Sequence, residues 1–293
     1  MQKASELGKI EVVTTGTFID KLTGINGIPK GRITEIFGDE GMGKSSICLQ
    51  MVAAAQKQGL KCLWIDCEYS YEAGYAASLG VDNELVSVIR KEYAEAMLEE
   101  LDSVIDQGWG LIILDSVGGL TPRAEIEKGA EGRVIGAQAG LVARLCRRIV
   151  PVLDSKKIAM IVINHSLVDI MSGKILSSGG KKLAYHKSIS IRLKNKMNAV
   201  LKVGDRKVGR VVMGEVKKNK LAATEGLEVE GHLLFGQGFS TEQDVLDAAL
   251  EKGCITKSGN SYYFFAAKLG VGLAKAREAL KDPVLLEQVK AAL

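Results

Sequence analysis

Residues 38–46 read GDEGMGKSS and follow the apolar run ITEIF directly. Gly38–Ser45 has the spacing G-x-x-x-x-G-K-[ST], with a strand pattern before it and a helix pattern after it, which is the context that motif requires. Glycines at 38, 41 and 43 let backbone N–H groups turn inward around phosphate oxygens, and the following helix N-terminus adds its dipole. Lys44 is expected at the β and γ phosphates and Ser45 on Mg²⁺. Asp39, Glu40, Met42 and Ser46 complete the expected nucleotide-binding stretch. A glycine-rich turn carrying a chance lysine is the competing reading, and the strand–loop–helix context argues against it.

Two more strand ends carry acids. LIILDS at 111–116 places Asp115 at the C-terminal edge of a sheet, where open α/β sheets bind ligands and where a carboxylate can hold Mg²⁺ through water. CLWIDCEYS at 62–70 ends in Asp66 and Glu68, one of which can face the nucleotide and activate an attacking water. A glycine loop with these acids defines nucleotide hydrolysis. A small-molecule kinase would bring an arginine-bearing lid and an acceptor pocket, and the sequence offers neither.

The elements that must position these groups are legible as short β-branched runs alternating with helical patterns. Strands are predicted over 33–37, 63–66, 86–89, 111–115, 158–164, 189–193, 208–216 and 229–234, and helices over 44–58, 72–79, 94–107 and 137–153. Continuous apolar strands in βα alternation imply a mostly parallel sheet covered on both faces. The last strands lie closer together and are expected to extend the sheet as antiparallel hairpins. The expected division is a short N-terminal segment (1–30), an α/β core (31–239) and a small α/β appendix (240–293) with short helices around SGNSYYFF.

Composition permits this architecture and excludes others. The 293 residues are 46% hydrophobic and 25% charged, with net charge +4, which admits a nucleic-acid partner without requiring one. Five cysteines form no CxxC pair, so small buried thiols in a reducing cytoplasm are expected rather than a metal or disulfide framework. The N-terminus MQKASELGKI lacks an apolar signal core, and no run approaches the ~18 apolar residues of a membrane span. A soluble, cytoplasmic protein without a membrane partner is the expectation.

GRITEIFGDEGMGKSS, IDCEYSYEAGYAASLGVD, LIILDSVGGLTPRAEIE, IVINH, SSGGKKL and VKKNKLA occur in the order found in RecA-type recombinases, and the resemblance runs from about residue 12 to the end. It implies a RecA-type P-loop ATPase core and a homologous-recombination protein. Such a protein forms a helical filament on single-stranded DNA, pairs it with a homologous duplex and hydrolyses ATP. Single-strand-binding or loader proteins are further implied partners. The resemblance makes Glu68 the catalytic glutamate, Tyr75 the ring that stacks on adenine and Glu72 the acid beside it. It makes His165 the switch between the γ-phosphate and a DNA loop. Two segments, 127–136 (EKGAEGRVIG) and 166–182 (SLVDIMSGKILSSGGKK), resemble the DNA-binding loops. Arg133, Ile135, Arg147, Ile170, Lys174, Gly179, Gly180 and Lys181 are the implied DNA contacts, with Ile135 and Ile170 as apolar wedges between bases. Lys218 and Lys220 match lysines that reach the neighbouring protomer's γ-phosphate.

Departures carry their own expectations. His165 stands where bacterial members have glutamine and resembles phage recombinases of the UvsX kind. Only residues 1–11 precede VVTTGTF, where bacterial relatives carry a long docking helix, so the resemblance leaves the mode and strength of filament assembly open. The chain ends VLLEQVKAAL without an acidic tail, which predicts less electrostatic restraint on duplex binding. A RecA-core hexameric motor and a DNA-binding accessory that forms no long filament share the nucleotide loop and are the rival readings.

Overall fold

The computed structural model describes residues 8–128, 136–169, 173, 175–178, 180–203 and 205–293. A short antiparallel pair, β1 (Val12–Val13) and β2 (Ile28–Pro29), brackets helix α1 (Ile19–Thr23). The core follows as β3 (Ile33–Gly38), α2 (Lys44–Lys57), β4 (Lys61–Asp66), α3 (Ala73–Ser78), β5 (Val86–Ile89), α4 (Ala94–Val104), β6 (Trp109–Asp115), α5 (Arg123–Lys128), α6 (Ala137–Lys156), β7 (Ala159–Val168), β8 (Ile175–Ser177) and α7 (Gly180–His186). The strands β9 (Lys187–Val203), β10 (Arg206–Asn219), β11 (Glu228–Leu234) and β12 (Gly238–Phe239) complete the main sheet. The C-terminal part holds α8 (Thr241–Glu251), β13 (Ile255–Ser258), β14 (Ser261–Phe264), β15 (Ala267–Val271), α9 (Leu273–Ala279) and α10 (Pro283–Ala291).

The sheet order is β12-β11-β10-β9-β3-β7-β6-β4-β5, with β8 paired to β7. From β9 to β5 all neighbours are parallel; β10, β11 and β12 add on as antiparallel strands. This is the mostly parallel α/β architecture that the alternating pattern predicts. The parallel strands ITEIF, CLWID, LIILD and MIVIN are buried almost throughout, because helices cover both faces. On one face α2 turns Ile47, Cys48, Met51, Val52 and Ala55 inward, spaced to form one helical stripe. On the other, α6 does the same with Leu141, Val142, Leu145, Cys146, Ile149 and Leu153. A separate apolar cluster, including Leu246, Ile255, Tyr262, Leu280 and Val289, lies in the C-terminal part.

Three local predictions are adjusted. The strand predicted over 189–193 runs from Lys187 to Val203, because pairing with β10 in a long hairpin supplies the ladder that apolar patterning alone does not reveal. The stretch around SGNSYYFF is a three-stranded antiparallel sheet flanked by helices, with Ser258 and Ser261 closing its first hairpin. Glu72 lies outside α3, as its cap. Among the described residues no helix is long and apolar enough to cross a membrane.

Parallel register brings the chemical residues to one edge. Gly38 lies opposite His165 and Leu193, and Asp66 opposite Asp115. Gly38, Asp66 and Asp115 end their strands and His165 lies near the C-terminal end of β7, which is why loops distant in sequence share one cleft.

Candidate active site

The cleft at this edge has a volume of about 490 Å³. Its floor is the glycine loop between β3 and α2. Gly41 and Gly43 have φ of 71° and 76°, a left-handed conformation that favours glycine. Gly38 is required by space: a Cβ there would lie 2.1 Å from the Leu193 carbonyl oxygen. Met42 is buried in the core, Asp39 and Glu40 are exposed, and Glu40 lines the cleft beside the loop backbone. The Lys44 ammonium donates to the carbonyls of Gly38 (3.0 Å) and Asp39 (2.8 Å). Burial lowers its pKa, with Asp115, Glu68, Asp39 and Glu40 opposing that pull.

Ser45 Oγ donates to Asp115 Oδ2 at 2.8 Å. Burial pushes the Asp115 carboxyl up to about 6; Glu68 and Asp66 add to the rise, while Ser45 and Lys44 oppose it. A hydroxyl and a carboxylate side by side, where negative charge is disfavoured, suit a hard divalent cation with oxygen ligands. Among the described residues no group of three or more His, Cys, Asp or Glu could hold a metal. Ser45 and Asp115 would therefore share such an ion with phosphate and water oxygens.

Strand β4 stops at Asp66, and this separates the two acids that follow one another there; a continuing strand would have kept positions 66 and 68 on the same face. Asp66 is fully buried, pairs with Arg90 Nε at 2.7 Å and accepts the N–H groups of Ser70 and Tyr71. It is committed to holding the loop. Glu68 reaches the cleft instead. Its Oε1 lies 3.1 Å from His165 Nε2 and accepts the Ser116 hydroxyl, which is itself 3.4 Å from His165 Nε2.

The other end of the cleft is formed by Tyr75, Arg210, Leu233, Leu234, Phe235 and Gly236. The Tyr75 hydroxyl is 2.7 Å from the Ser46 hydroxyl, tying α3 to the glycine loop. Glu72 caps α3, accepting the N–H groups of Gly74 (2.8 Å) and Tyr75. The Arg210 guanidinium stands 5.7 Å over the Phe235 ring. Ser116, Arg210 and Phe235 are site residues the sequence reading passes over. The signals were present: Ser116 follows Asp115 directly in LIILDS, and LLFGQGF puts an aromatic and glycines at a strand end.

Lys218 and Lys220 do not line this cleft. Their ammonium groups bond the last carbonyls of α7: Lys218 to Ala184, and Lys220 to Tyr185 at 2.8 Å. Of the expected nucleic-acid contacts, Arg147 is exposed on α6 and Gly180 begins α7. Arg133, Ile135, Ile170, Lys174 and Gly179 lie outside the described residues, as does the side chain of Lys181. The described flanks of the second segment, β7 and β8, pair antiparallel and expose Leu167, Val168 and Leu176.

The profile of the RecA N-terminal domain matches residues 1–240. Over 292 residues the chain is 34% identical to Protein RecA of Sulfurovum sp. (strain NBC37-1), covering 97% of this chain and 83% of that protein. It is 36% identical over 287 residues to Protein RecA of Fusobacterium nucleatum subsp. nucleatum, covering 96% and 75%. Against Protein RecA of Arthrobacter sp. (strain FB24) it is 36% identical over 278 residues, covering 93% and 78%. A glycine loop, two acidic strand ends and a histidine meeting at one edge of a mostly parallel sheet, with this likeness over nearly the whole chain, establish that the protein belongs to the RecA family of recombination and repair proteins.

Proposed function

We propose that this chain is a DNA-dependent ATPase that binds ATP and Mg²⁺ in the cleft between α2 and Phe235 and couples hydrolysis to assembly on single-stranded DNA. One observation carries the reading: Glu68 and His165 touch each other, at 3.1 Å, beside the Ser45–Asp115 pair. In this assignment the loop backbone and Lys44 hold the phosphates, and Tyr75 and Phe235 flank the base. Ser45 and Asp115 hold Mg²⁺, which when bound neutralises charge on the phosphate oxygens. Glu68 orients the attacking water and accepts its proton, with Ser116 and His165 fixing the carboxylate. Because His165 opens toward Ser166 and the second loop segment, a change in its partners is passed to the DNA contacts.

The DNA contacts are assigned to the two loop segments, including Arg133, Ile135, Arg147, Ile170, Lys174 and Gly179–Lys181. Lys218 and Lys220, which lie outside the chain's own cleft, are assigned to the ATP site of an adjacent protomer, so that the complete site needs a filament. Single-stranded DNA, a homologous duplex and further copies of this chain are the partners. The boundaries at 30/31 and 239/240 are kept as the division of the chain. Five free cysteines suit a reducing cytoplasm.

The test is ATP hydrolysis with and without single-stranded DNA at fixed low salt, alongside Glu68→Gln. Strong stimulation, reduced about 10²–10⁴-fold in the variant, is expected. Hydrolysis indifferent to DNA overturns the coupling. Electron micrographs with a non-hydrolysable ATP analogue separate continuous helices from the closed rings of a motor or the isolated particles of an accessory protein.

A further inference from the structure

Three residues before the first loop glycine, the otherwise apolar strand β3 carries Glu35, fully buried. A buried carboxylate is tolerated only where its oxygens are satisfied. Glu35 Oε2 accepts the Ser190 hydroxyl at 2.6 Å and the Lys187 ammonium, and Oε1 accepts Asn164 Nδ2 at 3.0 Å. Lys187 also donates to Ser177 Oγ at 3.0 Å. Asn164, equally buried, uses its whole hydrogen-bonding capacity. Nδ2 donates to Glu35 and, at 2.7 Å, to the Ser178 carbonyl; Oδ1 accepts the His165 N–H at 2.9 Å and the Ser178 hydroxyl. One amide therefore joins the strand that leads into the glycine loop, the backbone of the histidine at the cleft, and the residue that follows β8.

Replacing a buried ion pair by apolar side chains is often neutral or stabilising, so stability alone does not account for this cluster. Its geometry accounts for it differently. The amide has no spare donor or acceptor, so a displacement of the His165 backbone either carries Ser178 with it or breaks hydrogen bonds of a buried side chain. That makes the arrangement switch between discrete states rather than deform gradually.

We propose that Asn164, braced by the buried Glu35–Lys187 pair, is a positioning residue that passes the nucleotide state sensed at His165 to β8 and Ser178. This rests on the ATPase reading above and adds to it the part of the fold that carries the coupling.

The experiment measures the affinity of the full chain for a fluorescent single-stranded oligonucleotide at fixed salt, with a non-hydrolysable ATP analogue and with ADP. The reciprocal measurement is the affinity of the analogue and of ADP, each with and without the oligonucleotide; linkage requires the oligonucleotide to favour the analogue over ADP by the same ratio. Wild type is expected to show a ratio of about tenfold or more. Asn164→Ala should bring both ratios below about threefold while leaving the analogue's affinity without DNA within about threefold. Ser178→Ala, which removes one hydroxyl at a partly exposed position, should reduce the ratios severalfold and decides the matter if Asn164→Ala does not fold. Wild-type ratios in the folded variants overturn the proposal, as does a parallel loss of DNA-free nucleotide affinity, which marks a merely structural role. A wild-type ratio near one overturns the ATPase coupling itself, and this proposal with it.

Discussion

Asp115→Asn should make the nucleotide-free protein more stable at neutral pH while abolishing its response to Mg²⁺. Asp115 is 2% exposed, and burial, helped by Glu68 and Asp66, lifts its carboxyl from 3.8 to about 6. That rise corresponds to ~3 kcal/mol in favour of the neutral form. Between those two values the folded chain binds the proton that the unfolded chain has released. Stability therefore falls as pH rises through this window and stays lower above it. Asparagine has the same shape, cannot ionise, and still offers Oδ1 to the Ser45 hydroxyl. At pH 7 the variant should gain up to ~3 kcal/mol, on the order of 5 °C in melting temperature for a chain of this size. Thermal unfolding by circular dichroism, without divalent cations, across about pH 4 to about 8, gives the first readout. The wild-type curve should fall between 4 and 6 while the variant's contribution there is flat. Mg²⁺-dependent nucleotide affinity gives the second, lost in the variant because a neutral amide replaces the anionic ligand. Parallel pH profiles for the two proteins, or a variant less stable at neutral pH, would refute the reasoning.

Three further outcomes follow from particular contacts. Gly38→Ala places a methyl 2.1 Å from the Leu193 carbonyl oxygen, and only separation of β3 from β9 relieves it; urea unfolding should show a loss of roughly 3 kcal/mol or more. Lys218→Met with Lys220→Met should leave nucleotide binding by the isolated chain near wild type and cut DNA-stimulated hydrolysis at least about tenfold. Mixing this double variant with Glu68→Gln should restore part of the rate, and no restoration would place the lysines in the chain's own site. His232 sits between Asp244 (2.8 Å) and Asp247 (3.2 Å), joining β11 to α8. Burial pulls its pKa down, but Asp244, Asp247 and Glu230 outweigh this and hold it above 6.5. The stability it contributes is complete below 6.5 and is lost as pH rises through the folded value, so His232→Gln should flatten that alkaline decline.

Much of the site was legible because it consists of strand-end residues. A run such as LIILD has one reading in a parallel sheet, and its terminal acid falls at the ligand edge whatever its neighbours are. The same logic expects Lys44, Ser45 and Asp115 at one edge, and they line one cleft. It left Asp66 and Glu68 open, since their roles depend on where β4 stops, and the stop is set by the Arg90 and Tyr71 contacts that hold Asp66. Tyr75 and Glu72 were placed by family likeness. Tyr75 lines the cleft and Glu72 caps α3 without lining it, because its carboxylate bonds the first N–H groups of that helix.

What the sequence determined by itself was therefore local and periodic: the glycine loop, the apolar strands, the helical stripes, and the acids at strand ends. What only the tertiary structure decided was long-range pairing. Arg210 and Phe235 reach the cleft because antiparallel β10 and β11 fold back beside β9. Glu35 finds Asn164, 129 residues away, and Lys187, 152 residues away, because β3 lies between β7 and β9. No window of neighbouring residues contains those partners. Strand order fixes them, and strand order follows from packing the whole sheet beneath its helices.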